Sequence, residues 1–310
     1  MSNLTGKNQA ATKPGLIIAY FGNSVAVEAA DGQVFQCQLH RNQALPVVGD
    51  RVRFELGGGD AAMGVVTQIE PRTSLLARGD PHGKRKPIAA NIDVMLVVMA
   101  PPPIFAEHLI DRYLVAAELL GIQPLLVLNK MDLLSGERQE AALARLNRYQ
   151  SIPCEVALSS ASTVGGVAAL AALLRERTAV LVGPSGVGKS SIIAALGCVE
   201  PIRVGVVSPK GAGKHTTTAT RLYHLPQGGN VIDSPGVRDF SLWHVNKEEV
   251  LRGFKEFQPY VTNCRFRDCQ HRQEPGCQVQ AAVADGKISP TRFESYLELM
   301  HDVSRIKKQY

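Results

Sequence analysis

The sequence predicts a multi-domain chain: an N-terminal β-barrel, a central α/β nucleotide-binding domain, and a C-terminal zinc-binding, α-rich domain. Three observations predict it. Residues 15–70 hold five short alternating segments separated by turn residues. Residues 92–196 alternate strand-like and helix-like segments, the last pair flanking a glycine-rich turn. Residues 264–277 crowd three cysteines and a histidine into a stretch too polar to form a core. With 310 residues, 45% of them apolar, the chain can hold two or three such units.

The barrel strands are read as Leu16 to Tyr20, Ser24 to Ala29, Val34 to Leu39, Arg51 to Leu56 and Gly64 to Ile69. Turns fall at Gly22-Asn23, Asp31-Gly32, Gly49-Asp50 and Gly57-Gly58-Gly59. Five strands in this space suit an oligonucleotide-binding (OB) barrel, over residues 1–75 with a disordered N-terminal tail. Such barrels bind RNA or protein, and the pattern does not choose between them. Met1 to Pro14 is polar and lacks the apolar core of a signal peptide. Beyond the barrel, Arg78 to Pro87 reads as a flexible basic linker, either touching RNA backbone or simply solvated.

The central domain, expected over residues 76–240, runs strand Ile92 to Met99, helix Ala106 to Leu120, strand Pro124 to Leu128, helix Glu137 to Tyr149, strand Cys154 to Leu158 and helix Val167 to Arg175. This alternation gives a mostly parallel sheet with helices on both faces. Strand Thr178 to Val182 then meets Gly183-Pro184-Ser185-Gly186-Val187-Gly188-Lys189-Ser190, and a helix begins. That is the phosphate-loop pattern in its required context: glycines let backbone N–H groups approach phosphate oxygens, Lys189 reaches the β- and γ-phosphates, and Ser190 takes a position on Mg²⁺. Asn129-Lys130-Met131-Asp132 closes an earlier strand, at the edge where open α/β sheets bind ligands. A carboxylate there accepts from the N1–H and N2–H₂ of guanine, a donor pair that adenine lacks. Asp132 is thus the specificity residue, with Asn129 and the Lys130 stem bracing the base. Ser159-Ser160-Ala161 completes the pocket. The guanine motif precedes the phosphate loop, so the domain reads as a circularly permuted P-loop GTPase.

Downstream, strand Asn230 to Ile232 ends in Asp233-Ser234-Pro235-Gly236. Asp233 is expected to hold Mg²⁺ through a water, and the Gly236 N–H to meet the γ-phosphate. Residues 211–218 form a polar segment suited to a switch loop, and Thr217 is the favoured Mg²⁺ ligand among its three threonines. Many GTPases carry a water-orienting glutamine after Asp-x-x-Gly. Here Val237 stands there, so His215 is the candidate to assist hydrolysis.

Cys37, Cys154 and Cys198 are isolated in apolar or strand-like surroundings and read as small core residues. Cys264, Cys269, His271 and Cys277 offer three thiolates and an imidazole within fourteen residues, a closed tetrahedral zinc set of structural type. The spacing of Cys269 and His271 suggests an extended backbone pointing both the same way. Arg265, Arg267 and Arg272 surround the knuckle and can pair with phosphates or simply be solvated. In the last domain, expected over residues 241–310, Ser289-Pro290 reads as a helix start, followed by a packing stripe of Phe293, Tyr296, Leu297, Met300 and Val303.

These motifs in this order, with Gly213-Lys214-His215-Thr216-Thr217-Thr218, the run Arg221 to Leu225, and Asp233 to Arg238, resemble the small-ribosomal-subunit-dependent GTPase A family, the bacterial RsgA or YjeQ proteins, over nearly the whole chain. Pro184 stands where related chains often carry glutamine. The resemblance implies an OB barrel and a GTPase with weak intrinsic turnover, stimulated by the small ribosomal subunit and acting late in its maturation. It also implies that His215 assists hydrolysis. Expected partners are GTP and GDP, the small subunit and its rRNA, with one Zn²⁺ and a Mg²⁺ bound alongside GTP. The alternative is an RNA-binding scaffold in which guanine nucleotide is a structural ligand. A formal charge of +6 suits a polyanionic partner or a mildly basic enzyme. The longest apolar run, Val94 to Ala100, is too short to span a bilayer. The expectation is a monomeric cytoplasmic protein, with the γ-phosphate contacts at Thr217 and Gly236 setting the angle between zinc domain and barrel.

Overall fold

The computed structural model describes residues 12–39, 44–57, 63–79, 85–101, 107–149, 152–198, 220–234 and 245–306. Five strands, β1 (Lys13–Tyr20), β2 (Ser24–Ala29), β3 (Val34–Leu39), β4 (Arg51–Leu56) and β5 (Met63–Ile69), follow the apolar segments of the sequence. They pair in the order β1-β2-β3-β5-β4, and β4 returns to β1, closing the barrel. A bulge between Ile17 and Ala19 in the β1–β2 pairing supplies local bending. Alternation points Val25, Val27, Val52, Phe54 and Val66 inward, where all are fully buried.

The stretch expected as a flexible linker is strand at both ends: residues 78–79 and 85–87 belong to β6 (Leu75–Gly79) and β7 (Arg85–Ala90), which pair as a hairpin with Arg78 opposite Lys86, while residues 80–84 lie outside the described residues. The hairpin's charged residues flank an apolar half: Leu76, Ala89 and Ala90 are fully buried, a gain that depends on neighbours distant in sequence. Asn91, in a left-handed conformation, ties hairpin to barrel by donating from its amide to the Gly49 carbonyl at 2.8 Å. Nearby, the Arg72 guanidinium neutralises the buried Asp50 carboxylate at 2.7 Å.

The central sheet comprises β8 (Val94–Met99), β9 (Gln123–Leu128), β10 (Glu155–Leu158), β11 (Thr178–Val182), β12 (Arg221–His224) and β13 (Asn230–Asp233). Spatial order is β10-β9-β8-β11-β13-β12, all parallel except β12. The β12 edge pairs with β1 at Arg221 and Ala19, so barrel and sheet form one eleven-stranded surface. His224 reinforces that seam, lying 2.7 Å from Glu28 of the barrel and 2.7 Å from the Asn230 side chain.

Among the described residues, four helices cover the sheet: α1 (Glu107–Leu120), α2 (Gly136–Asn147), α3 (Ala168–Leu173) and α4 (Lys189–Ala195). Every residue of β8 is buried, as a parallel central strand requires. Met95, Val97 and Met99 join α1 in one core, while Val94, Leu96 and Val98 join α3 and α4 in the other.

The C-terminal unit has α5 (Lys247–Gly253), α6 (Gln258–Val261), α7 (Gln278–Ala284) and α8 (Pro290–Ile306). Asn246 starts α5 with a reciprocal capping box to Glu249. Phe254, Phe257, Phe293 and Tyr296 cluster at ring-centroid separations of 5.0–6.3 Å. The unit is seated on α1 through α5 and α8. At that seam Arg292 of α8, 4% exposed, lies 2.7 Å from the fully buried Asp111 of α1 and 2.7 Å from Glu256, with its guanidinium over the Phe254 ring.

Candidate guanine-nucleotide site and metal cluster

Because β9, β10, β11 and β13 run parallel, their carboxyl ends open on one edge of the sheet. The loops leaving that edge carry the sequence-predicted residues, and Asn129 binds three of them together. Its side-chain amide donates to the Val187 carbonyl in the phosphate loop at 2.9 Å. Its carbonyl accepts from Ser159 Oγ at 3.1 Å and from the Ala161 N–H at 3.2 Å. With Asn129 only 1% exposed, these bonds are shielded from water and each is costly to lose.

Lys130 adopts a left-handed conformation, φ 64°, turning the chain sharply at the strand end. Met131 then donates from its N–H to the Ser159 carbonyl at 3.1 Å. The Asp132 N–H donates to Ser160 Oγ at 3.1 Å, and its exposed carboxylate accepts from Ser162 Oγ at 2.8 Å. Ser162 was not among the residues singled out from sequence; one hydroxyl in a run of serines carries no mark of its partner.

In the phosphate loop, Gly183, Gly186 and Gly188 all have positive φ. Gly183, at φ 137°, is the tightest requirement, since a Cβ there would strike the Val98 backbone carbonyl, and at Gly188, φ 95°, a Cβ would collide with the Asn129 side-chain nitrogen. Pro184, Ser185 and Gly186 form the turn, Val187 is buried beneath it, and Ser190 is exposed in the first turn of α4. Lys189 Nζ donates to the Gly183 and Pro184 carbonyls, each at 2.6 Å, and so lies across the loop. Asp233 ends β13, the strand beside β11, and Ser234 Oγ lies 2.9 Å from Thr220 Oγ1. His215, Thr217 and Gly236 lie outside the described residues.

The cysteine cluster stands apart, beside α8. Ligand atoms of Cys264, Cys269, His271 and Cys277 all lie within 4.8 Å of one another, the one such group among the described residues. His271 Nδ1 faces Cys277 Sγ at 3.4 Å and Cys264 Sγ at 3.6 Å, so this nitrogen is the inward ligand atom. The backbone at His271 is left-handed, φ 62°, not the extended conformation expected from the spacing; a tight turn aims the imidazole at the thiols. Burial pushes the Cys269 thiol up to about 12 and lowers the His271 imidazole. A soft cation taken up here therefore displaces thiol protons. The donor set and its spacing fit a metal such as zinc. Tyr296 locks the cluster to α8, its hydroxyl donating to the Gln270 carbonyl at 3.3 Å.

A parallel sheet whose phosphate loop lies beside an Asn-Lys-x-Asp loop that precedes it in the chain defines a circularly permuted P-loop GTPase. The RsgA GTPase family matches residues 69–243. The chain is 44% identical over 301 residues to the Small ribosomal subunit biogenesis GTPase RsgA of Haemophilus influenzae, covering 96% of this chain and 87% of that one. The crystal structure of YjeQ from Thermotoga maritima superposes with a TM-score of 0.76 at 28% identity, covering 94% of this chain and 99% of that one. YloQ, described as a circularly permuted GTPase, gives 0.73 at 27% identity, with 98% of each chain covered. The chain belongs to the RsgA GTPase family, and it is a GTPase, a hydrolase.

Proposed function

We propose that this protein hydrolyses GTP as a late assembly factor of the small ribosomal subunit, binding rRNA and turning over fastest on that subunit. The observation that carries the nucleotide half is the Asn129 junction, which joins the guanine loop, residues 159–161 and the phosphate loop into one hydrogen-bonded unit. In this reading Asp132 selects guanine and Lys189 swings from the loop carbonyls to the β- and γ-phosphates. Ser190, Thr217 and Asp233 hold Mg²⁺, the Gly236 N–H meets the γ-phosphate, and His215 orients the attacking water in place of the glutamine that Val237 replaces. Zinc in the cysteine cluster is structural, since all four ligands come from protein.

The ribosomal half draws support from the near full-length similarity to proteins named for small-subunit biogenesis, and from the net positive charge. The OB-type barrel and the arginines of the knuckle, Arg265, Arg267 and Arg272, are the surfaces we assign to rRNA. The test is GTP turnover by the purified protein alone and with purified small subunits, large subunits or bare rRNA. Stimulation by small subunits alone is expected. Equal turnover in all four conditions overturns the ribosomal assignment while leaving the guanine site intact.

A further inference from the structure

The carboxylate assigned to guanine selection is held by a neighbour that has no other role at the site. Ser162 Oγ donates to Asp132 Oδ2 at 2.8 Å. Ser162 belongs to a short loop closed on itself. Ser160 donates from its N–H to the Gly166 carbonyl at 2.9 Å, and its carbonyl accepts from the Thr163 N–H at 2.9 Å and from Thr163 Oγ1 at 3.0 Å. Gly166 in turn donates to the Thr163 carbonyl at 3.1 Å. No side chain fits at Gly166, where a Cβ would run into the Ser160 carbonyl and Thr163 Oγ1. The ring is anchored to the buried Asn129 through the Ala161 N–H and to Asp132 through Ser160 Oγ. The serine hydroxyl is therefore presented from a preorganised support.

We propose that Ser162 is a positioning residue for base selection, its hydroxyl holding Asp132 in the rotamer that presents both carboxylate oxygens to the N1–H and N2–H₂ edge of guanine. This rests on the reading of Asp132 as the guanine-selecting group. An ionised carboxylate has about four acceptor positions, so the serine bond leaves room for two parallel bonds from the base. In the open pocket water competes with the hydroxyl. A bound base excludes that water and gives the bond its weight. A carboxylate free to swing loses the two-point match to guanine, whereas the phosphate contacts are untouched.

The test is the affinity of the full-length protein for GDP, inosine diphosphate and ADP, measured by calorimetry on wild type, Ser162→Ala, Ser162→Thr and Asp132→Ala. Inosine diphosphate lacks the 2-amino group, so its comparison with GDP reads the two-point match directly. Ser162→Ala is expected to weaken GDP by about three- to tenfold and inosine diphosphate by less, while Ser162→Thr keeps wild-type selectivity. A general loosening of the loop would weaken both nucleotides alike. Such an equal loss, an unchanged GDP affinity, or a threonine variant that behaves like alanine overturns the proposal. If Asp132→Ala keeps the guanine preference, the underlying reading of Asp132 fails instead, and the two failures are distinct.

Discussion

Replacing Arg292 with methionine should uncouple the C-terminal unit from α1. The guanidinium sits between two carboxylates, each at 2.7 Å, and Asp111 is fully buried. Methionine fills much of the same space over Phe254 but leaves both acids without their cation. Removing one partner of a buried pair costs about 3–5 kcal/mol, because the remaining charge stays desolvated. Against a total stability of about 5–15 kcal/mol that is a large share, equivalent to a fall in Tm of about 6–20 °C.

The pH dependence has a definite sign. Burial raises the Asp111 carboxyl above its ordinary range, and Arg292 opposes that rise. A raised folded-state pKa means the native carboxyl binds its proton more tightly than the unfolded chain does. Stability from this group therefore falls as pH climbs from the ordinary carboxylate range through the folded-state value. Without Arg292 that window extends upward, so the deficit of the variant should be larger at about pH 8 than at about pH 5. Urea unfolding at the two pH values measures it. Adding Asp111→Asn and Glu256→Gln should recover more than half of the loss, because a neutral site has no charge to compensate. A variant within about 1 kcal/mol of wild type at both pH values would refute the reasoning.

Three further outcomes are expected. Asn129→Ala should weaken GDP binding by about 10- to 100-fold and lower the unfolding midpoint by several degrees, because it leaves the buried partners at Val187, Ser159 and Ala161 unpaired together; calorimetry and thermal melts read both. Gly188→Ala should abolish nucleotide binding while preserving the far-ultraviolet circular dichroism spectrum, since a side chain at φ 95° strikes Asn129. Cys277→Ser, or a strong chelator, should remove bound zinc from the purified protein and raise hydrogen exchange over residues 264–277, leaving GDP affinity unchanged. Unaltered exchange after complete zinc loss would rule out a structural metal.

The expectation that γ-phosphate contacts at Thr217 and Gly236 set the angle between zinc domain and barrel meets a physical constraint. α5 and α8 rest on α1 across a buried ion pair, and the aromatic cluster continues into the same core. Any tilt must carry α1 along or separate those charges, and the Arg292 variant is the means to tell which.

Much of this protein was legible locally. A glycine-rich turn between an apolar strand and a helix has few uses, and the positive φ angles at Gly183, Gly186 and Gly188 are the ones their residue type suggests. Barrel strands announced themselves by alternation and turn residues, and four residues able to hold a metal within one short segment need little help from the rest of the chain. Sequence alone thus determined the GTPase class and the order of the parts. It did not reveal the β6–β7 hairpin, whose apolar half is paid back only by distant neighbours, nor the left-handed turn at His271. Partners were likewise decided by tertiary structure: Asn129 meets Val187 fifty-eight residues away, Ser162 meets Asp132, and Arg292 meets Asp111. A polar side chain advertises that it needs a partner, but only strand order and helix packing determine which one comes within reach.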